Sequence, residues 1–189
     1  QYRVARRQVD VAGVVPSDAG WAADFERMRD LLVATLGVLA VQISHVGSTA
    51  VSGLPAKPII DIDLTVPDST AEADYLPALE AAGFRLIARE PGWEEHRCLT
   101  YASPNTNLHV FSPGAIEPQR HLVFRDRMRW VAADRDAYGA QKLGLAAAGF
   151  APSGDYNGAK AAMVYDIYES AFAADPRFRH SPRPRPGTD

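Results

Sequence analysis

The segment that most restricts this chain is IIDIDLTV, residues 59–66. Side chains alternate faces along a strand. Ile60, Ile62, Leu64 and Val66 therefore point to one side, and Asp61, Asp63 and Thr65 to the other. The apolar side belongs against a core, which leaves two neighbouring carboxylates on the opposite side. Strand rise sets their Cα atoms about 6.5 Å apart. Beside an apolar layer the two carboxylates repel one another and resist desolvation. A divalent cation between them removes that cost. Mg²⁺ suits such a place, because it takes one or two carboxylates together with substrate phosphates. Taken alone, Asp-x-Asp is equally compatible with a strand whose polar face is simply solvated.

The rest of the chain supplies a frame for that strand. Trp21, Phe25, Met28, Leu32 and Leu36 recur at the spacing of one buried helical face and predict a helix over 18–36. Asp18 stands at its N-cap position and Gly37 at its stop. Strands are expected at 41–46, 59–66, 84–89, 96–102 and 107–111, and helices at 71–82, 118–132, 134–148 and 157–173. One helix, strands interrupted by a second helix, and three closing helices describe an α+β domain, a mixed sheet flanked by helices. Residues 1–174 are expected to form this single domain.

Composition bears on what such a domain can do. At 189 residues the chain is long enough to bury a core without staples. No run of 18 apolar residues occurs, so no membrane helix is expected. The single cysteine, Cys98, permits neither an intrachain disulfide nor a cysteine-based zinc site, and fits a reducing, cytoplasmic setting. Arg3, Arg6 and Arg7 precede any sustained apolar run, which speaks against a secretory signal. Residues 175–189 hold four prolines, and four arginines against two aspartates give them a net charge of +2. They read as a disordered Pro/Arg-rich tail. With −3 for the whole chain, the remaining residues carry −5, which argues against a nucleic-acid partner.

Gly47 and Ser48 end the strand before IIDIDLTV, and twelve residues separate Ser48 from Asp61. A glycine at a strand end admits close backbone approach to a phosphate, which adjacent N–H groups and a serine hydroxyl can hold. Gly-Ser, a spacer of twelve, and Asp-apolar-Asp-apolar within a strand together resemble the core signature of the polymerase-β-like nucleotidyltransferases. The whole string HVGSTAVSGLPAKPIIDIDLTV resembles the hallmark of one branch with that fold, the GrpB family. VVPSDAGW, GWEEHR at 92–97, NLHVF at 107–111 and FRDRMR at 124–129 follow the same pattern, as do Tyr138 with Lys142 and Tyr156 with Lys160. The resemblance spans roughly residues 14–173. FRDRMR departs from the family's usual FRDYLR followed by proline.

The resemblance implies a nucleotidyltransferase-like fold in which Asp61 and Asp63 hold Mg²⁺ while Gly47 and Ser48 cradle the distal phosphates of a nucleoside triphosphate, ATP being the expected one. It implies transfer of a nucleoside monophosphate to a small-molecule acceptor. A ligase acting through an adenylated carboxylate at the same site is one alternative. A non-catalytic nucleotide-binding or folding-assistance module is the other. Such folds usually place a third carboxylate on a later strand; here NLHVF offers His109, a general base, a metal ligand or a hydrogen-bonded pocket residue. Glu94 and Glu95 are the nearest substitute carboxylates, and Trp93 a core or base-stacking residue. Lys57, Arg97, Lys142, Tyr156 and Lys160 are the expected phosphate contacts, with Lys57, Arg97 and Lys160 favoured; each also reads as an ordinary surface group. Arg125 and Arg129 share a helical face. Cys98, His96, His121 and His180 show no metal-binding spacing and are expected to be structural or exposed.

Overall fold

The computed structural model describes residues 2–3, 13–147 and 154–174, with the backbone alone for 2–3 and 154–160. Tail residues 175–189, and Arg6 and Arg7, lie outside the described residues. The elements are β1 (Tyr2–Arg3), α1 (Gly20–Leu36), β2 (Gln42–Val46), β3 (Ile60–Thr65), α2 (Glu72–Ala81), β4 (Arg85–Glu90), β5 (His96–Tyr101), β6 (Thr106–Phe111), α3 (Glu117–Trp130), α4 (Ala132–Ala147) and α5 (Gly154–Ala174). The strands form one mixed sheet in the order β1-β4-β5-β6-β3-β2. β3 and β6 run parallel in its interior, and every other pairing is antiparallel.

Sequence periodicity accounts for what covers the sheet. Trp21, Met28, Leu32 and Leu36 of α1, with Tyr75 and Leu79 of α2, bury against Ile60, Ile62 and Leu64 of β3, Leu99 of β5, and Leu108 and Val110 of β6. These sheet residues are the apolar half of the alternation. Asp18 accepts a hydrogen bond from the Gly20 N–H (2.8 Å) at the start of α1. Gly37 ends that helix with φ at +53°, in the left-handed region that glycine tolerates.

A second, smaller core joins α3, α4 and α5 to the loop between β2 and β3. Val51 and Leu54 of that loop are buried with Met128, Tyr138 and Ile167. Gly139 of α4 lies so close that a Cβ there would meet Pro55 at 3.1 Å. The same loop is strapped from the N-terminal side by the Val15–Ala56 bridge and by Ser17 Oγ, which accepts from the Gly53 N–H (3.0 Å). The loop carrying Gly47, Ser48 and Lys57 is therefore held from both sides. No helix among the described residues is long and apolar enough to cross a membrane.

Candidate active site

The parallel pairing of β3 with β6 builds the centre of the site. In its register Asp61 lies beside Asn107, and Asp63 beside His109. Asn107 Nδ2 donates to Asp61 Oδ1 at 2.7 Å. The other Asp61 oxygen faces the end of β2, where Gly47 adopts φ +69° and an added Cβ would stand 2.6 Å from Oδ2. Glycine is required there twice over, by its backbone angle and by the carboxylate packed on it. Asp63 is almost fully buried, and His121 Nδ1 lies 2.8 and 3.1 Å from its two oxygens.

Beyond Gly47 the chain makes a tight 3-10 turn over Ser48–Ala50. Lys142, brought from α4 across 94 residues of sequence, donates to Ser48 Oγ at 2.9 Å. Its ammonium lies 4.8 Å from the centroid of the Tyr138 ring, one helical turn earlier. Lys142 is itself buried, so its charge and the Ser48 hydroxyl are held together in the turn that follows Gly47, the residue packed on Asp61. Behind the turn, Thr49 Oγ1 donates to the Ile59 carbonyl (3.0 Å) and accepts from His45 Nε2 (3.1 Å). His45 stacks on Phe25, and its burial pushes it down to about 4.

α3 clamps this assembly with one stripe of residues four apart. His121 engages Asp63, Arg125 Nη1 donates to the His45 carbonyl (3.1 Å), and Arg129 donates twice to the Ala50 carbonyl (3.0 and 2.8 Å). His121 is thus part of the site, not a peripheral group. Its signal lay in its four-residue spacing from Arg125. Glu94 fixes the start of the same helix by accepting from the backbone N–H groups of Ile116 (2.8 Å) and Glu117 (3.0 Å). That use of its carboxylate, with Glu95 paired to Arg97 (3.3 Å), removes both from the role of a third metal carboxylate.

His109 shares the face of Asp61 and Asp63, its Nε2 3.9 Å from Asp61 Oδ1. Burial acts against protonation of His109, but pairing with Asp61 and with the Cys98 sulfur outweighs it and holds the imidazole well above 6.5. His109 Nδ1 contacts His96 Nε2 at 3.0 Å, and His96 Nδ1 contacts Glu90 at 2.8 Å. Trp93 packs edge-on against His96 and Phe111, a placement beside the site rather than in the main core.

Arg97 corrects the expectation of a phosphate contact. It belongs to the opposite face of the sheet, buried, with Nε donating to Glu72 at 2.6 Å. Alternation along β5 dictates this, because Arg97 is opposite the core residue Val110 while Cys98 is opposite His109. Lys57 is half-buried just before β3, its carbonyl accepting from the Ile59 N–H (2.7 Å). Tyr156 and Lys160 are on α5, and their side chains lie outside the described residues. A separate cavity of about 190 Å³ between α4 and α5 is lined by Asp134, Met163, Asp166 and Ser170, with none of the motif residues in its wall.

Mg²⁺ takes oxygen ligands in near-octahedral geometry and keeps several of its waters. Among the described residues no group of three His, Cys, Asp or Glu side chains forms a cage. Two adjacent carboxylates, each held now by a neutral or ionisable partner, fit a hard ion that keeps water and phosphate oxygens as its other ligands. The residues therefore fit Mg²⁺ delivered with a polyphosphate, and do not fit an all-protein metal centre.

Comparison with known proteins agrees with this architecture. The family model described as GrpB protein matches residues 12–170. A UPF0157 protein of Halalkalibacterium halodurans is 44% identical over 156 residues, covering 82% of this chain and 80% of that protein. The crystal structure of the conserved protein GrpB from Enterococcus faecalis superposes with a TM-score of 0.76 at 27% identity, over 85% of this chain and 98% of that one. The dephospho-CoA kinase of Mycolicibacterium paratuberculosis is 30% identical over 164 residues; the match takes in 72% of this chain but 40% of that longer protein. By the extent of the family match and by these relatives, the chain belongs to the GrpB family.

Proposed function

We propose that the chain is a Mg²⁺-dependent nucleotidyltransferase, moving a nucleoside monophosphate from a nucleoside triphosphate, ATP in the first instance, onto a small-molecule acceptor. The observation that supports this most is a convergence. Lys142 reaches Ser48 across 94 residues, and the adjoining Gly47 packs directly on Asp61. A buried ammonium with a serine hydroxyl beside a carboxylate pair suits a polyphosphate bound with its cation.

In this reading Asp61 and Asp63 would hold the ion, which supplies charge neutralisation at the reacting phosphate and the leaving pyrophosphate. Gly47 lets the backbone approach the β and γ phosphates, while Ser48 and Lys142 bind them. Lys57, Tyr156 and Lys160 are further phosphate contacts under this proposal. His109 presents Nε2 to the same space, where it orients the acceptor and exchanges a proton with it. Asn107 and His121 hold the two carboxylates apart until the charged ligand arrives.

The test is pyrophosphate release with Asp61→Asn and Asp63→Asn combined. Loss of the Mg²⁺-dependent activity is expected; unchanged turnover rejects the mechanism. The partial match to a longer dephospho-CoA kinase favours a second reading, a non-catalytic nucleotide-binding or folding-assistance module. Calorimetry with ATP, GTP, CTP and UTP separates the two. Tighter binding with Mg²⁺ supports the enzyme, and four nucleotides indifferent to the metal remove its main support.

A further inference from the structure

The turn from β4 to β5 is the strained part of the site. Glu94 and Glu95 both adopt φ +53°, and among the described residues no other non-glycine residue has a positive φ. Such a backbone is disfavoured for any residue with a Cβ and persists only where surrounding bonds over-determine it. Here they do. The Glu94 carboxylate accepts from the N–H groups of Ile116 (2.8 Å) and Glu117 (3.0 Å) at the start of α3. The Glu95 carbonyl accepts from Ser69 Oγ (3.0 Å) and from Arg97 Nη1 (2.8 Å). The turn is thus bolted to α3 on one side and to the loop before α2 on the other. β4 enters it through a bulge. The register moves from Leu86↔Leu99 to Ala88↔Cys98, two residues against one, which brings Glu90 to the site face, 2.8 Å from His96 Nδ1.

The side chain that this strained turn sets in place is Trp93. Its N–H donates to the Glu90 carbonyl and its carbonyl accepts from the His96 N–H, both at 3.0 Å. The indole meets His96 at 4.7 Å between centroids and 66°, and Phe111 at 6.0 Å and 83°. Both contacts are edge-to-face, and the side chain is still 38% exposed. An aromatic held at its angle by two rings, with part of its surface open, is a platform for a further ring. Ile116, 56% exposed, is fixed beside the same turn by the Glu94 carboxylate and extends the apolar rim.

The position of Trp93 in the site decides what it would receive. From β2 to β5 the site face passes Gly47 and Ser48, then Asp61 and Asp63, then His109, then His96, whose ring stacks on His109 with centroids 5.2 Å apart. The hydroxyl and the Lys142 ammonium are at the first end of this line, and the aromatic rings at the other. In phosphoryl transfer the attacking and leaving oxygens are roughly in line through phosphorus. The acceptor hydroxyl oxygen forms its bond to the α-phosphorus as the bond to the bridging oxygen of pyrophosphate breaks, with the hydroxyl proton passing to water or to His109. Pyrophosphate held at Ser48 therefore requires an acceptor that enters from the side of His109 and Trp93. The nucleoside is attached off that line. β5 lies two strands from β3, about 10 Å, so the accepting hydroxyl and the group on Trp93 are separate ends of one molecule.

We propose that Trp93, backed by His96 and Phe111 and flanked by Ile116, is the acceptor subsite, and that the acceptor is an alcohol carrying a flat aromatic ring. Its assignment to the acceptor rests on the nucleotidyltransferase reading.

The test is a titration of the full chain, labelled with nitrogen-15, with benzyl alcohol and with cyclohexylmethanol as probes of the ring end. Both are run with and without Mg²⁺ and the α,β-methylene analogue of ATP, which cannot release pyrophosphate. The Trp93 indole signal, assigned with Trp93→Phe, is expected to move with benzyl alcohol, which should bind about fivefold more tightly than its saturated counterpart. Its affinity should stay within about twofold when the analogue is bound. Trp93→Leu should abolish the preference for the aromatic probe, and Trp93→Phe should keep most of it. Equal response to the two alcohols, or none, overturns the proposal from the wild-type titration alone. Benzyl alcohol excluded by the analogue, with Trp93 moved by the analogue itself, also overturns it and makes Trp93 a nucleobase platform. The two readings fail separately. An analogue that moves the Gly47 and Ser48 signals while benzyl alcohol moves none rejects the subsite alone. Benzyl alcohol that moves Trp93 while the analogue moves nothing supports the aromatic subsite and rejects the nucleotidyltransferase reading.

Discussion

The two faces of the sheet bind carboxylates with different kinds of partner. On the helix-covered face, Glu72 of α2 accepts from both Arg89 and Arg97, at distances from 2.6 to 3.0 Å. Permanent cations compensate that carboxylate, and it is held below the usual range chiefly by its hydrogen bond from Arg89. On the other face Asp61 and Asp63 are held by an amide, Asn107, and by imidazoles, His121 and, at longer range, His109. An amide carries no charge and an imidazole can surrender its own, so these carboxylates keep the capacity to take an external cation. Fixed guanidinium partners make a structural junction, and exchangeable ones leave a site open to a ligand.

Breaking the fixed junction should cost stability and leave the site alone. Arg97→Met removes a buried cation that ties β5 to α2 while keeping its apolar stem. A loss of about 3 kcal/mol is expected by denaturant unfolding, because the remaining charges of the cluster are left with a poorer arrangement. Nucleotide affinity should stay within about twofold, since the substitution is on the far side of the sheet from Asp61. A large fall in affinity with little change in stability would reverse the assignment of the two faces.

How much of this was readable beforehand follows the distance over which each feature is assembled. The helix over Gly20–Leu36, the strands carrying Asp61 and His109, and the three closing helices follow from periodicity, which is local. The grouping of Gly47 with Asp61 in one motif was legible because they lie fourteen apart and their spacing is a property of one loop, whereas the packing of Gly47 on the Asp61 carboxylate was not. Arg97 was misplaced by one step of strand alternation, a matter of which β5 residue faces the core, and only the register against Val110 decides it. His96 and Glu90 were unreadable for a related reason. A bulge between Leu86 and Ala88 inverts the face on which Glu90 falls, and nothing in the local pattern marks it. Lys142 is one of several basic candidates in the sequence, and choosing it requires knowing that Gly139 lets α4 lie against the Leu54–Pro55 segment.

The opposite perturbation is Gly47→Ala, which should damage the exchangeable site more than the fold. The methyl group would have to share space with Asp61 Oδ2, 2.6 Å away, on a backbone at φ +69°. Strain of this kind costs about 1–3 kcal/mol. Relief requires moving either the Asp61 carboxylate or the Ser48 turn, so metal-dependent nucleotide binding in calorimetry should weaken beyond what stability explains. Retained affinity in a folded Gly47→Ala protein would separate Gly47 from the site.

The smallest effect is a pH dependence that isolates His45, the buried imidazole behind the turn. His45, behind the turn, is pushed down to about 4 by burial, against an ordinary value of 6.5. In the unfolded chain it binds a proton below pH 6.5, while in the folded chain it does so only near pH 4. Between these values the unfolded state holds more protons, so stability falls as the pH drops through that window and is fully present above it. The ceiling from a shift of this size is about 3 kcal/mol, reached only near pH 4. His96, also pushed down to about 4, acts in the same direction, so the wild type alone does not isolate His45. His45→Gln keeps a donor for Thr49 but has no titration. Its stability difference from the wild type should shift in favour of the variant by about 1–2 kcal/mol between pH 7 and pH 5. A constant difference across that range would mean that His45 takes up its proton with the turn intact, and that the back of the Gly47–Ser48 loop is as open to charge as its front.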